Sequence, residues 1–363
     1  MNSSFCAIAS RQTGEDLIGT ASQYQTYVLI ECPTPWAAKA FDSEQVPSEL
    51  CQYIKSLKSE RSVQFLTISR GVLAPSDSTT ASTTHSTTVI IYEKTVLSDG
   101  SSTHESVSGY RGYEFRVASL NRVVDCLEAY WQGDHTGKPI TQQDVLICTH
   151  GMRDRCCARF GRPFFRDARR CAKKGKLPNV RLWKVSHIGG HRFAPTAISF
   201  PDGRYYGRLT LAALKSVITR SGAIDQFRSV YRGWGLLPAP LQVLEQYLML
   251  QHGWAWLDCC VSYRILAEKS HERLEKEGGD RELSVEISIV AKQTSGAQNA
   301  SSSQILTYQA KLIQDPQKTV CVKASCGKDT ATAFVKYTVA KCVLVSDSQP
   351  GLSAENSLLQ QAS

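Results

Sequence analysis

No stretch of this 363-residue chain approaches the eighteen or so apolar residues that a membrane-spanning helix requires, so no membrane association is expected. The opening MNSSFCAIASRQTGEDL has no basic region followed by an apolar core. No secretory leader is therefore expected, and the chain is read as cytoplasmic, in a reducing compartment. Ser-His-Asp arrangements and phosphate-cradling glycine loops are missing, and no pair of carboxylates has the spacing of a sugar-cleaving site. Those absences remove the common hydrolase and nucleotide-binding classes, so no catalyst of those kinds is expected. Internal repeats are too weak to quote. What the chain does hold is thirteen cysteines, an odd number spread over its whole length. Without export they do not read as a disulfide framework; most are expected to be small buried hydrophobes, with a subset free to bind metal.

Net charge is +9, and most of it falls in one window. Between Arg153 and Lys176 there are ten Lys/Arg against Asp154 and Asp167, a local +8. A field of this kind steers acidic partners at rates that fall with salt. The basic side chains Arg155, Arg159, Arg162, Arg166, Arg169, Arg170, Lys173 and Lys174 are the candidate docking face. Phe160, Phe164 and Phe165 are the only aromatics among them and stand at helical core spacing, which argues against nucleic acid.

Along the chain, TYVLIECP (26–33), a helix-compatible 47–60 and SVQFLTISR (62–70) suggest a strand-helix-strand unit. SDSTTASTTHSTT (76–88) reads as a Ser/Thr-rich surface insertion. Strand candidates follow at 88–94 and 112–117, then an amphipathic helix over 118–133 that Gly133 stops. These make an N-terminal α/β domain, 1–135. After a polar linker comes a second domain, 140–250. Its order is the strand DVLICT, a helix that Pro163 must break or kink, the strand VRLWKVS, a hairpin turned at Asp202-Gly203, and a helix ended by Gly222. That order is what a thioredoxin-like domain, related in design to the first, would show. Residues 251–346 carry period-two apolar runs that predict a small antiparallel β region, preceded by a charged helix near 264–277; 347–363 are expected to be a disordered tail. The fold class is α/β.

The chemistry gathers between Asp144 and Arg208. Cys148 ends a strand. Cys157 stands near a helix start, where unpaired N–H groups, Arg153 and Arg155 favour a thiolate. His187 and His191 flank Gly189-Gly190 on a loop. Two cysteines and two histidines suit a tetrahedral zinc or a [2Fe–2S] cluster with two imidazoles on one iron. The spacing fits neither the close cysteine pairs of zinc fingers nor the usual Rieske motifs, so iron–sulfur, zinc and no metal all stay open. His150 and Cys156 are secondary candidates, and the vicinal Cys156-Cys157 is an alternative thiol-redox pair.

The strings C-T-H-G-x-R-D-x-C-C, S-H-x-G-G-H-R-F-A and P-D-G-x-x-Y-G-R resemble the sucrase/ferredoxin-like family. CAIASRQTGEDLIGTA, VLIECPTPWA and YRGWGLLPAPLQ extend the resemblance over about the first 250 residues, with KASCG as a weaker match. The family includes thioredoxin-like ferredoxins of fungi. The resemblance therefore implies a [2Fe–2S] cluster on Cys148, Cys157, His187 and His191, acting as an electron carrier or redox sensor. It also implies an acidic redox partner such as a reductase, flavoprotein or ferredoxin. The chain departs from the pattern at Cys156-Cys157, where family members have a basic residue and a single cysteine. The competing expectation is a structural or interaction module with zinc or no metal.

Overall fold

Val28, Leu29 and Ile30 leave no surface to solvent, which is what an unbroken apolar run at the centre of a sheet requires. The structure is a computed structural model and describes residues 5–71, 86–97, 106–270, 281–291, 304–328 and 330–348. The expected Ser/Thr-rich insertion and C-terminal tail lie largely outside the described residues. The chain divides into two units. One comprises Met1–Lys94, Gly109–Ala239 and Thr319–Phe334; the other comprises Thr95–Ser108, Pro240–Lys318 and Val335–Ser363.

The first unit opens with α1 (Cys6–Gln12) and is built on two similar halves. In the first, β1 (Thr26–Glu31), α2 (Ser48–Glu60) and β2 (Val63–Ser69) form a strand-helix-strand unit whose strands pair in parallel, registered from Thr26–Val63 to Glu31–Ile68. Next come β3 (Thr87–Leu97), antiparallel to β1, β4 (Ser106–Val117) beside it, and α3 (Val123–Trp131). A two-residue β5 (Lys138–Pro139) pairs with β4. The second half repeats the order: β6 (Gln143–Cys148), α4 (Arg162–Lys173), the parallel β7 (Val180–Val185), then the hairpin β8 (Ala197–Phe200) and β9 (Arg204–Tyr206), and α5 (Leu211–Thr219). Gly203, at φ 74°, supplies the positive dihedral that the hairpin turn needs. β10 (Tyr231–Trp234) extends the sheet beside β9.

The boundary expected between 1–135 and 140–250 is not a break in this unit. β2 and β7 pair antiparallel through Ile68–Val185 and Ser69–Lys184, so the two halves share one sheet ordered β10-β9-β8-β6-β7-β2-β1-β3-β4. Charge also crosses the seam. Fully buried Asp144 on β6 accepts from both Nε and Nη2 of Arg181 at 2.6 Å, from Trp183 Nε1 at 2.9 Å and from Tyr92 Oη of β3 at 2.6 Å. Arg181 also pairs with Glu114 of β4. The core of the first half sits between the sheet and α2 and α3, with Val28, Ile30, Leu50, Ile54, Ile91 and Leu127 all closed to solvent. Each such side chain contributes roughly 1.5–3 kcal/mol relative to exposure.

The C-terminal region 251–346 is likewise not one piece. Its segment Thr319–Phe334, the hairpin of β14 (Val320–Lys323) and β15 (Ala331–Phe334), belongs to the first unit. There β14 packs against α1. The second unit carries α6 (Ala239–His252) and an antiparallel meander of β11 (Cys260–Ser270), β12 (Arg281–Ala291), β13 (Gln304–Gln314) and β16 (Tyr337–Ser348). The charged helix expected near 264–277 is, over its described part, the strand β11, paired with β12 from Cys260–Val290 to Ser270–Arg281. Continuous ladder pairing overrides the helical propensity of that segment. No helix among the described residues is long and apolar enough to cross a membrane. All thirteen cysteines are free thiols.

Candidate metal centre

Cys148 is the last residue of β6, and the chain turns at Thr149–Asp154 into a widened π-helical turn, Cys157–Gly161, that leads into α4. The proline expected to disrupt the helix is accommodated: Pro163 stands at the start of α4, directly after the π-helical turn that widens the helix there. Asp154 caps the helix start, its Oδ1 accepting the Cys156 N–H at 2.8 Å. Gly161 brings turn and strand together. A Cβ there would lie 2.0 Å from the Cys148 carbonyl oxygen, so only glycine lets the turn approach the strand end this closely.

That approach sets Cys157 beside Cys148. His187, one residue past Ser186 on the β7 side, completes a group whose ligand atoms all lie within 4.8 Å of one another. His187 Nδ1 is 4.0 Å from Cys157 Sγ. Both cysteines are buried and His187 is half-buried. It opens onto a groove also lined by Lys39, Phe41, Lys58, His150 and Arg153. The hydrogen bond from the Cys157 thiol holds Cys148 well below the ordinary thiol range, with His187 adding to the effect. Cys157, which keeps that proton in a buried position, is pushed well above it. The contact between the two thiols thus favours ionisation at Cys148 over Cys157, and a metal cation would displace the protons of both.

Of the four expected ligands, three converge. His191 stands one step off, its ring centroid 4.9 Å from that of His187. The loop between them is not helical: Gly189 and Gly190 have φ of 78° and 68°, and His191 begins a single 3₁₀ turn. His191 Nε2 is bonded to the Ala324 carbonyl oxygen and lies 3.7 Å from Asp154 Oδ2. Its Nδ1 is buried without a hydrogen-bond partner. Burial pushes its pKa below the usual histidine value, so it is neutral near pH 7.

The secondary candidates lie elsewhere. His150 Nε2 pairs with Ala37 O at 2.7 Å, and the ring meets Trp36 edge-on, outside the three-residue group. Cys156 turns away from Cys157 altogether. Its sulfur lies 3.4 Å from Cys6 Sγ and 3.3 Å from Cys326 Sγ, so the expected thiol pair Cys156-Cys157 is not assembled. Consecutive residues of a helical turn point about 100° apart and cannot face one centre. The grouping of Cys6, Asp154, Cys156 and Cys326 was missed in the sequence. Its only signal there was that CAIAS and KASCG, 320 positions apart at their cysteines, both carry the resemblance.

On the expected docking face, Arg155, Arg159, Arg162, Arg166, Arg170, Lys173 and Lys174 are exposed. Arg169 is half-buried and donates to the Gly71 carbonyl at 2.6 Å, so it is turned toward the protein. Asp167 pairs with Arg170 at 3.1 Å and lies 3.8 Å from Arg166.

The family model for sucrase/ferredoxin-like proteins matches residues 17–233, more than half of the chain. Similar curated proteins are named altered inheritance of mitochondria protein 32. That of Meyerozyma guilliermondii is 29% identical over 102 residues, covering 26% of this chain and 36% of the relative. That of Clavispora lusitaniae is 31% identical over 99 residues, again 26% and 36%. That of Debaryomyces hansenii is 29% identical over 108 residues, covering 28% and 38%. The chain thus spans little more than a third of the length of these relatives. No solved structure matches it. These findings overturn the expectation of a [2Fe–2S] electron carrier or redox sensor. The relatives' name speaks of neither a cluster nor electron transfer, and the family match brings neither with it. What the matched span, with its cysteine and histidine strings, does establish is membership: the chain belongs to the sucrase/ferredoxin-like family.

Proposed function

We propose that the first unit is a metal-binding module whose centre is Cys148, Cys157 and His187. The observation that carries this reading is the convergence of two buried sulfurs and one imidazole nitrogen within 4.8 Å, from a strand end, a helical turn and a loop. Such a donor set suits a borderline-soft metal and suits hard cations poorly. The buried Nδ1 of His191 has no hydrogen-bond partner, while its Nε2 is held by a backbone carbonyl. This is how metal-bound imidazoles are usually oriented, and it supports His191 as the fourth donor. A bound cation would supply the charge that lets both sulfurs ionise; the chain supplies two buried sulfurs and, at His191, an imidazole oriented by the Ala324 carbonyl. An acidic partner would meet the module across the exposed basic face of α4, and its association would slow as salt rises.

Iron and zinc content per chain tests the reading and assigns the metal. Cys148→Ser and His187→Ala should each remove roughly half or more of the metal held at this centre, because a lost ligand leaves an incomplete coordination set. Full metal content in both variants would refute it.

A further inference from the structure

We propose that Cys6, Cys156 and Cys326, with the carboxylate of Asp154, form a second and separate metal site that takes Zn²⁺. The three sulfurs form a closed triangle, 3.4 Å from Cys6 to Cys156, 3.3 Å from Cys156 to Cys326 and 3.6 Å from Cys326 to Cys6. Zinc–sulfur bonds of about 2.3 Å in a tetrahedron set sulfurs about 3.8 Å apart, so small side-chain rotations would admit the ion. A disulfide would use two of these sulfurs and strand the third; one cation uses all three.

The surroundings fit thiolates. Backbone N–H groups donate to two of the three sulfurs, Cys6 N to Cys326 Sγ at 3.5 Å and Ala7 N to Cys156 Sγ at 3.4 Å, as they do around anionic sulfur. Asp154 supplies the oxygen donor. Its Oδ1 accepts from Cys156 N and lies 3.9 Å from Cys6 Sγ, while its Oδ2 accepts from Cys326 N at 2.9 Å and Ser325 Oγ at 3.1 Å. The carboxylate is therefore fixed in place by three donors and still has lone pairs to offer. Cys6 and Cys156 are closed to solvent, whereas Cys326 is half-buried and gives the ion a route in.

The ligands arrive on three otherwise distant pieces of chain: α1, the turn before α4, and the loop between β14 and β15. A tetrahedral ion there would pin α1 and that hairpin to the second half of the first unit. Because the unfolded chain presents no such site, binding free energy would appear as folding free energy. The site's role is thus structural, and it needs no change of oxidation state.

The test uses the full chain purified under reducing conditions, in a background carrying both Cys148→Ser and Cys157→Ser so that the centre proposed above has no sulfur left to contribute. Zinc content should be about one per chain, and Cys6→Ser or Cys326→Ser should abolish it, while Cys321→Ser, an exposed cysteine on β14, should leave it intact. Co²⁺ offered to the metal-stripped chain should give sulfur-to-cobalt charge-transfer absorption that weakens by about a third for each sulfur removed. This cobalt spectrum decides the matter even if a serine variant fails to fold. Absence of thiolate bands in this doubly substituted background would overturn the proposal. So would zinc content unchanged by Cys6→Ser, or a freshly isolated metal-free chain with two of these three cysteines joined.

Discussion

Alanine in place of Gly161 separates two opposing effects. Gly161 has helical dihedrals, φ −73° and ψ −41°, so helix propensity alone would favour alanine by about 1 kcal/mol. The added Cβ would stand 2.0 Å from Cys148 O, where ordinary contact begins at about 3.5 Å, and 3.7 Å from Thr149 Cα. The obstacle is backbone at the end of β6 and has no rotamer through which to yield. The turn must retreat by more than an ångström, and overpacking of that kind costs about 1–3 kcal/mol, here at the upper end. Subtracting the propensity gain leaves a net loss of about 2 kcal/mol. Urea denaturation should show a lower midpoint at unchanged slope. Because the retreat carries Cys157 away from Cys148, metal content should fall in the same variant. Gly161→Ala with equal or greater stability and full metal would refute the argument that this glycine sets the sulfur pair.

Two further outcomes are expected. Asp144→Ala removes the buried partner of Arg181, Trp183 and Tyr92 at the seam between the halves; leaving the Arg181 charge short of its partner should cost about 3–5 kcal/mol in denaturant titration. His150 and His191 both have pKa values lowered by burial, so the unfolded chain takes up protons that the folded one refuses. Their contribution to stability is complete above the ordinary histidine value of about 6.5 and is lost as pH falls from there through the lowered folded values. Tm should drop between pH 7 and pH 5, by less in His150→Gln; a variant with an unchanged drop would remove His150 from the account.

The α/β order was legible because apolar runs such as Val28–Ile30 and Val145–Ile147 are long enough to read as buried strands and are separated by amphipathic helices. The seam was not legible. Nothing local in Ile68 or Val185 announces that they pair, and the Asp144 cluster looks like scattered charge until the sheet is closed. The stretch after Cys260 misled for a related reason: its Lys, Glu and Arg residues favour a helix locally, and only the long-range ladder with β12 makes it a strand. At the centre, Cys148, Cys157 and His187 could be named from residue type and position. Spacing could not tell which way Cys156 faces, nor that His191 spends one nitrogen on Ala324, because both depend on α1 and the β14–β15 loop folding back onto the site.

Asp154 stands between the two cysteine groups, receiving the amides of Cys156 and Cys326 on one side and facing His191 at 3.7 Å on the other. Burial opposes its ionisation, but those amide donations outweigh it and keep its carboxyl below the usual range. A single anion shared in this way is a thermodynamic go-between. Whatever draws its charge toward one neighbour withdraws it from the other, and by reciprocity each site must alter its neighbour's affinity by the same factor. Filling the two positions would then read as linked rather than independent steps.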